Sequence, residues 1–480
     1  MKPDPANRSA SARGSDHVGD LAIVLHSHMP YVEGFGTYPF GEEWLFDAVA
    51  RSHLPVLEVA RGVTITVTPV LADQLEAEGV ASRMLEFLRE FRLDAARADA
   101  RDADASLRPA AQAEVDRLVF AIGRLEALDG DALQAFRDAA DDGAELMASS
   151  ATHAVLPKLA TAEAVRLQID AGLRSHARRF GRSAGFWLPE CAFVPGLERF
   201  LAERGISHTC LDQSAGNEGP LALEPVVLGR SLTGFTIDWP TIELVWGKSG
   251  YPSAPEYLEH HRESLNGVGL WAISGDPYDP DAARSRAQSD AEDFLDRVSE
   301  RLTAFRRDHA KPGLCTFAVD TELLGHWWRE GPEWLAHVLD GAAGRGIDLV
   351  RLSDARYRHP GSERAVVASS WGEAKSLVTW DSPRAPEFPT AARRSELRLL
   401  SRVAAGLDGA VGERAVRELL ALQSSDWAFM AHRGEAGEYP YERASAHAEA
   451  LLEALDSGRV PSRELRNLAP DLSLSPLLEP

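Results

Sequence analysis

Two stretches of similar design carry the acidic residues most suited to chemistry. In the first, an apolar run over residues 184–188 predicts a buried strand, and Glu190 follows at its end among aromatic residues. In the second, an apolar strand over residues 314–319 runs into Asp320 and Glu322, and tryptophans follow at once. A carboxylate with apolar neighbours is costly to bury unless it is paired or used. Taken alone, each acid could simply begin or cap a helix.

Two acids at strand ends, each beside tryptophan, fit a carboxyl pair that works on a sugar. Cleavage of a glycosidic bond needs one acid to protonate the leaving oxygen and one carboxylate on the other side of the ring. Tryptophan adds a flat apolar face for the C–H groups of a pyranose. These residues do not decide between Asp320 and Glu322 as partner of Glu190, because the two share a face if the strand continues.

Histidines follow the first predicted strand. The apolar run of residues 20–25 delivers His26 and His28, and alternation places both imidazoles on one side. Three interpretations remain open: a metal site of a metal-dependent hydrolase, a pair of neutral donors for sugar hydroxyls, or side chains hydrogen bonded within the core. His153, in a later loop, is by default a structural histidine.

Composition limits the class of protein. The chain has 480 residues, 44% of them hydrophobic, and a net charge of −22, so we expect a large core and no nucleic acid or anionic membrane partner. Cys191, Cys210 and Cys315 lie in apolar runs, which indicates reduced core cysteines in a cytoplasmic protein, without a disulfide framework or a zinc site. No run reaches transmembrane length, and residues 1–19 are predicted to be a disordered tail. The oligomeric state stays open.

Alternating elements must position these residues. Strand and helix patterns alternate from residue 20 to about residue 355, which predicts parallel βα units in an open sheet or a barrel. Functional groups at the C-terminal ends of strands favour the barrel. Residues 81–147 lack a β-rich run and predict a helical insertion, and residues 390–455 are again helical. The glycine- and aromatic-rich loop of residues 245–252 is a candidate lid.

Motifs in a fixed order carry a family resemblance. They are HSHMPY at residues 26–31, ATHA at 151–154, WLPEC at 187–191, DTELLGHWW at 320–328, SSWGE at 369–373 and QSSDW at 423–427. Over roughly residues 20–455 the chain resembles family 57 of the glycoside hydrolases, and within it the 1,4-alpha-glucan branching enzymes.

The resemblance implies an α/β fold, an incomplete (β/α)7 barrel with an inserted helical subdomain and a helical C-terminal domain. On this basis the barrel comprises residues 20–80 and 149–360, the insertion residues 81–148, and the C-terminal domain residues 361–480. The boundaries between these parts are placed where the composition shifts along the chain.

The resemblance also implies the chemistry: a retaining mechanism with Glu190 as nucleophile and Asp320 as general acid/base, and no metal or cofactor. The residues implied at the substrate are His26, His28, His153, Trp187, Tyr251, Arg262, Trp271, Trp371, Trp380 and Asp426. Three of the tryptophans, at 271, 371 and 380, line the glucan groove, and the loop around Tyr251 is the lid. The expected partners are an α-glucan donor and an α-glucan acceptor, amylose- or glycogen-like.

Other activities remain as alternatives. An α-amylase or a 4-α-glucanotransferase of the same family would share the catalytic pair, so only the products distinguish them from a branching enzyme. A metal-dependent hydrolase using His26 and His28 would need further ligands at strand ends, and no histidine-aspartate set completes them. A glucan-binding protein without activity would not need both acids.

Overall fold

The computed structural model describes residues 17–32, 41–214, 220–462, 464–465 and 467–479. The predicted N-terminal tail lies outside the described residues up to residue 16. The strands are β1 (Gly19–Ser27), β2 (Thr64–Val67), β3 (Glu145–Ser149), β4 (Phe186–Trp187), β5 (His208–Leu211), β6 (Val226–Leu228), β7 (Leu232–Thr236), β8 (Gly313–Asp320) and β9 (Ile347–Leu349).

The strands form two sheets that meet to close a barrel. The larger sheet has the order β4-β3-β2-β1-β8, all parallel, and β9 pairs with the beginning of β1. The smaller sheet has the order β5-β7-β6, with β5 and β7 parallel. A bridge between Gly185 and His208 joins β4 to β5, and the Asp238 N–H donates to the Thr316 carbonyl at 2.8 Å beside β8. The parallel barrel with seven strands, β1 to β5, β7 and β8, is confirmed, and its closure rests on these isolated contacts.

Helices surround the barrel and form two further groups. Around the barrel they are Glu42–Ala48, Leu54–Leu57, Pro69–Leu75, Ala162–Phe180, Glu198–Glu203, Trp239–Trp246, Pro280–His309, Gly331–Gly341 and Leu352–Arg358. Between β2 and β3 they are Val80–Glu86, Asp94–Asp102, Arg108–Ala127 and Ala132–Asp141, and near the C-terminus Glu387–Ala404, Gly409–Leu422, Ser425–Arg433 and Tyr439–Ser457.

The helix that precedes β4 begins where the sequence indicates. Thr161 accepts a hydrogen bond from the Ala164 N–H at 3.2 Å, which satisfies one of the free donors at the helix start. The long helix Pro280–His309 begins in the same manner, since Asp279 accepts from two backbone N–H groups and proline needs no partner there.

The third strand differs from the prediction. β3 begins inside the segment expected to be the helical insertion. The sequence did not indicate a strand there because Glu-Leu-Met-Ala-Ser has no β-branched or aromatic residue. Its pairing with β2 on one side and β4 on the other decides its conformation. The predicted domain boundaries stay a prediction.

A π-helical turn links the inserted helices to the barrel. Val49–His53 forms this turn just before Pro55, which lacks an N–H for the carbonyl of Arg51. Arg117, on the inserted helix Arg108–Ala127, donates to that carbonyl at 2.7 Å and also to the Gly325 carbonyl. Glu114, one turn earlier and 4% exposed, pairs with Arg51, and with Arg329 beyond β8. The insertion is therefore bonded to the loop that follows β8.

The C-terminal helices pack on the barrel through apolar side chains. Leu399, Val416, Leu419 and Leu451 share one buried cluster with Leu167 of the helix Ala162–Phe180. The three cysteines are buried and unpaired, as predicted. Among the described residues, no helix combines the length and the apolar character needed to cross a membrane.

Candidate active site

The two acids at the end of β8 have different surroundings. Asp320 is the last residue of the strand and lies in register with His26 of β1. A short 3-10 turn, Thr321–Leu323, follows the strand and contains Glu322. The Oε1 atom of Glu322 accepts from the backbone N–H of His28 at 3.0 Å and lies 2.6 Å from His53 Nε2. Asp320 accepts no side-chain hydrogen bond from any described residue. The geometry therefore favours Asp320 as the reactive group and Glu322 as a supporting one.

Glu190 lies in an unusual backbone conformation at the end of β4. Its φ is 60° and that of Cys191 is 48°, in the left-handed region that costs a residue with a side chain about 1 kcal/mol or more. The turn is held by the Trp371 N–H, which donates to the Glu190 carbonyl at 2.8 Å. His153 on the facing loop also has a positive φ, 56°. Such strain persists only where the surroundings fix it, and it is concentrated at functional sites.

The carboxyls of Glu190 and Asp320 act on each other. Burial raises the pKa of Asp320 to about 7, and the neighbouring Glu322 carboxylate adds to this effect. Burial and the Asp320 and Asp426 carboxylates raise the pKa of Glu190, whereas His28 and a hydrogen bond from Ser425 lower it. The pKa of Glu190 is raised to about 8 and that of Asp320 to about 7. Among the described residues, Ser425 donates to Glu190 and no side chain donates to Asp320, so hydrogen bonding favours the negative charge on Glu190.

The histidines of the first motif have separate roles. His26 is 3% exposed, and both of its ring nitrogens are engaged: Nδ1 lies 2.6 Å from Thr66 Oγ1 and Nε2 lies 2.9 Å from His153 Nε2. Burial lowers the pKa values of His26 and His153 well below the ordinary range, so both imidazoles are neutral. This is the core-bonded alternative, and it leaves His26 no free nitrogen for a metal or a sugar.

The pKa of His28 shifts in the opposite direction to those of His26 and His153. Burial opposes its charge, but the Asp426 carboxylate at 3.0 Å, with Glu322 and Glu190 nearby, raises the pKa of His28. Its Nδ1 lies 3.1 Å from Thr68 Oγ1, so both nitrogens are again occupied. The surrounding acids therefore favour the protonated form of His28 more than water does.

The tryptophans predicted at the substrate divide by exposure. Trp187 is fully buried, stacks on His26 at 4.7 Å and meets the edge of Trp371 at 5.1 Å, so it supports the site from below. Trp380 is buried as well. Trp371 and Trp271 are partly exposed and remain available to a ligand.

The remaining predicted residues lie on the segments around residues 250–275 and 425. Tyr251 donates to Asp293 of the helix Pro280–His309 at 2.7 Å, which anchors the predicted lid at its tyrosine. The helix Trp239–Trp246 occupies the first part of that predicted loop. The Arg262 guanidinium covers Trp271 at 4.3 Å. Asp426 faces His28, so the C-terminal helices contribute directly to the site.

Three supporting residues escaped the sequence analysis. Ser425 donates to Glu190 Oε1 at 3.3 Å, and its position inside the QSSDW motif was the available signal. Thr66 is one of two threonines in β2, and His53 is one of three polar residues in the π-helical turn Val49–His53, so nothing local distinguishes either. Their roles follow only from pairing across the barrel.

Comparisons with known proteins agree with this architecture. Residues 103–246 match the model of glycosyl hydrolase family 57, and residues 391–478 match the C-terminal model of 1,4-alpha-glucan branching enzymes. A 1,4-alpha-glucan branching enzyme of Thermococcus kodakarensis is 31% identical over 90% of this chain and 72% of its own length.

Solved structures extend the likeness to the whole fold. The family 57 branching enzyme of Pyrococcus horikoshii has a TM-score of 0.89 and 30% identity, covering 96% of this chain and 97% of that one. The α-amylase AmyC of Thermotoga maritima, at 22% identity and a TM-score of 0.83 over 92% of this chain and 94% of its own, shares the fold. The chain therefore belongs to glycosyl hydrolase family 57.

Proposed function

We propose that the protein is a retaining 1,4-alpha-glucan branching enzyme, which cleaves α-1,4 links and transfers the released chain to a 6-hydroxyl to form α-1,6 branches. The observation that carries the proposal is the pair of buried carboxyls at the ends of β4 and β8, both with raised pKa values, of which Glu190 accepts a hydrogen bond from Ser425. The relatives named as branching enzymes, which cover nearly the whole chain, supply the substrate class.

In the first step Glu190 attacks the anomeric carbon of the donor glucan. The glycosidic C–O bond breaks, its electron pair goes to the leaving oxygen, and Asp320 gives that oxygen its proton. The donor chain is now an ester of Glu190. The raised pKa of Asp320, about 7, keeps the proton available at neutral pH.

In the second step the 6-hydroxyl of an acceptor glucan attacks the same carbon. Asp320, now a carboxylate, takes the hydroxyl proton, and the ester bond to Glu190 breaks with its electron pair returning to the carboxylate. Two inversions give net retention. Water would yield hydrolysis at this stage, so branching requires that the acceptor occupy the site before water does.

Binding roles follow exposure. We assign the sugar platforms to the partly exposed Trp271 and Trp371, and direct polar contacts to Asp426 and Arg262. His26, His153, Trp187 and Trp380 serve as the buried support of these groups. The segment around Tyr251 remains our candidate for the cover that excludes water.

Location and division into domains are further proposals. Three unpaired buried cysteines and an acidic chain fit a reducing compartment, which we take to be the cytoplasm. We keep the division into a barrel, an inserted helical subdomain and a helical C-terminal domain, with the third strand at the end of the insertion returned to the barrel. Separate expression of residues 361–480 would test whether that part folds alone.

The decisive experiment incubates the purified protein with amylose and follows iodine staining and reducing ends together. A branching enzyme removes the blue stain with few new reducing ends, and a debranching enzyme then releases short chains. Stain loss that is matched by reducing ends, without debranchable product, would identify an α-amylase. Transfer that leaves only linear chains would identify a 4-α-glucanotransferase.

Two variants separate the roles of the acids. Glu190→Gln should release no fluoride from an α-maltosyl fluoride substrate, because it cannot form the ester. Asp320→Asn should still give a burst of fluoride and accumulate the glycosyl-enzyme, since fluoride leaves without a proton, and mass spectrometry would detect the adduct. A burst from Glu190→Gln would contradict the assignment.

A further inference from the structure

A continuous line of hydrogen-bonded side chains runs beneath the catalytic pair. Thr66 Oγ1 lies 2.6 Å from His26 Nδ1, His26 Nε2 lies 2.9 Å from His153 Nε2, and His153 Nδ1 lies 2.8 Å from Ser425 Oγ. Ser425 in turn reaches Glu190 Oε1 at 3.3 Å. All four members are buried, so the line has no competition from bulk water.

The end of the line at Glu190 determines where the hydrogens lie. His153 Nδ1 is 3.7 Å from the carboxylate oxygen Oε1 as well as 2.8 Å from the Ser425 hydroxyl. A bare nitrogen at this place would direct its lone pair at a carboxylate, whereas an N–H is attracted by it. Nδ1 of His153 therefore carries the hydrogen and donates to Ser425, whose own hydrogen is then free for Glu190.

Because both imidazoles are neutral, the direction of each hydrogen bond determines the direction of the next. A neutral imidazole has one N–H and one bare nitrogen, so Nε2 of His153 is an acceptor. His26 must then donate from its Nε2 and accept at its Nδ1, and the Thr66 hydroxyl must donate to it. The rings are held for this exchange by stacking, since His26 lies against Trp187 at 4.7 Å and His153 against His28 at 3.9 Å.

We propose that Ser425 is a positioning residue for the nucleophile and the last donor of a one-directional hydrogen-bond chain. The chain runs from Thr66 through His26 and His153 to Ser425 and Glu190. It fixes His26 as the Nε2–H tautomer and His153 as the Nδ1–H tautomer. This inference rests on the proposed role of Glu190 as nucleophile and adds the groups that orient it.

The direction of the chain has a chemical purpose. Ser425 donates to Oε1, and His153 Nδ1 lies 3.7 Å from the same oxygen, so Oε2 is the oxygen left to bond with the anomeric carbon. After that bond forms, Oε1 is the ester carbonyl oxygen and still accepts from Ser425, so no hydrogen needs to move during the reaction cycle. Glu190 is faced by Asp320, Asp426 and His28 in addition, and of these only His28 favours the ionised nucleophile.

The tautomers are directly measurable. We would label the histidines of the full chain with ¹⁵N, record long-range ¹H–¹⁵N spectra at pH 7, and assign two of the 15 side chains by loss of their signals in His26→Gln and His153→Gln. We expect neutral rings, with hydrogen on Nε2 of His26 and on Nδ1 of His153. Hydrogens on the opposite nitrogens, or a cationic ring at either position, would overturn the proposal.

Activity provides an independent readout. Ser425→Ala removes a donor to the charged nucleophile, so the acid limb of kcat/KM should move up by about one pH unit and kcat/KM should fall about tenfold below it. Ser425→Thr keeps the hydroxyl and should restore both values. An unmoved acid limb in Ser425→Ala would refute the role of the serine.

The outcomes separate the two proposals. If the wild-type protein makes no branches but shows these tautomers, the proposed activity is wrong and the proposed hydrogen-bond chain is supported. If it makes branches and shows the reverse tautomers, the proposed activity is supported and the proposed hydrogen-bond chain is wrong.

Discussion

Replacing Glu322 by glutamine tests how much the charge of Glu322 raises the pKa of Asp320. Glu322 Oε1 is fixed by the His28 N–H at 3.0 Å and by His53 Nε2 at 2.6 Å. A glutamine oxygen can accept the same two hydrogen bonds, so the change removes the charge and keeps the shape. Because the Glu322 carboxylate disfavours a second negative charge on Asp320, its loss should lower the pKa of Asp320.

The size of the effect follows from the spacing along the chain. Cα atoms two residues apart in an extended chain lie about 7 Å from each other, and we take this as the order of magnitude of the separation of the two carboxyl groups. At an effective dielectric constant of about 20, two unit charges at about 7 Å interact by about 2 kcal/mol. Since about 1.4 kcal/mol is one pH unit, and water in the open site weakens the interaction, we expect a shift of about one unit.

The direction of the shift follows from the proposed role of Asp320 as general acid. A general acid works only while it is protonated, so activity falls as the pH rises through its pKa, here about 7. In Glu322→Gln this alkaline limb should therefore move to a lower pH. The initial rate of loss of amylose–iodine absorbance, measured from pH 5 to pH 9, gives the limb directly.

A matched variant guards against a general effect of removing a buried carboxylate. Glu330 is buried a few residues farther along and accepts from the Tyr278 hydroxyl at 2.6 Å. Glu330→Gln should leave the alkaline limb in place. A limb that does not move in Glu322→Gln, or that moves to higher pH, would refute the reasoning.

Three further outcomes follow from other contacts. Gly325 has a φ of 100°, and a Cβ there would lie 2.1 Å from the Arg51 carbonyl oxygen, so Gly325→Ala should lower the thermal unfolding temperature well beyond Gly62→Ala, where a Cβ meets nothing within 4 Å. Burial raises the pKa of Glu114, but the arginines around it have the larger effect and lower it to about 2. The ionised Glu114 therefore stabilises the folded protein by about 3 kcal/mol above pH 4.5, and this stabilisation is lost toward pH 2. Glu114→Gln should flatten that part of a curve of unfolding free energy against pH. Trp371→Ala should raise KM for amylose about tenfold in the iodine assay, with Trp371→Phe in between, because a ring platform is lost.

Local signals were sufficient where the chemistry lies on a strand end. The apolar runs before Glu190 and Asp320 predicted both positions, and the alternation of elements predicted the parallel barrel. The residues alone left Asp320 and Glu322 open, and the family resemblance implied Asp320. The 3-10 turn that separates the surroundings of the two acids has no local sequence signal. Glu322 contacts His28 and His53, whereas Asp320 accepts no side-chain hydrogen bond from the part of the chain that the structure describes.

Long-range pairing accounts for the rest. His26 was equally compatible with three roles until Thr66 and His153, 40 and 127 residues away, were seen to occupy both of its nitrogens. Trp187 belongs to the right motif but lies under the site, because its short strand points it inward between His26 and Trp371. Burial of this kind is a property of the assembled barrel.

Pro55 has a consequence for how this architecture can change over evolution. Pro55 has no N–H to donate to the Arg51 carbonyl four residues earlier, and Arg117 of the inserted helices donates to that carbonyl and to the one of Gly325. Glu114 adds ion pairs to both sides of the same junction. The insertion is thus not an exchangeable module: its outer surface can vary, but deleting it would remove the side-chain donor that the carbonyls of Arg51 and Gly325 share.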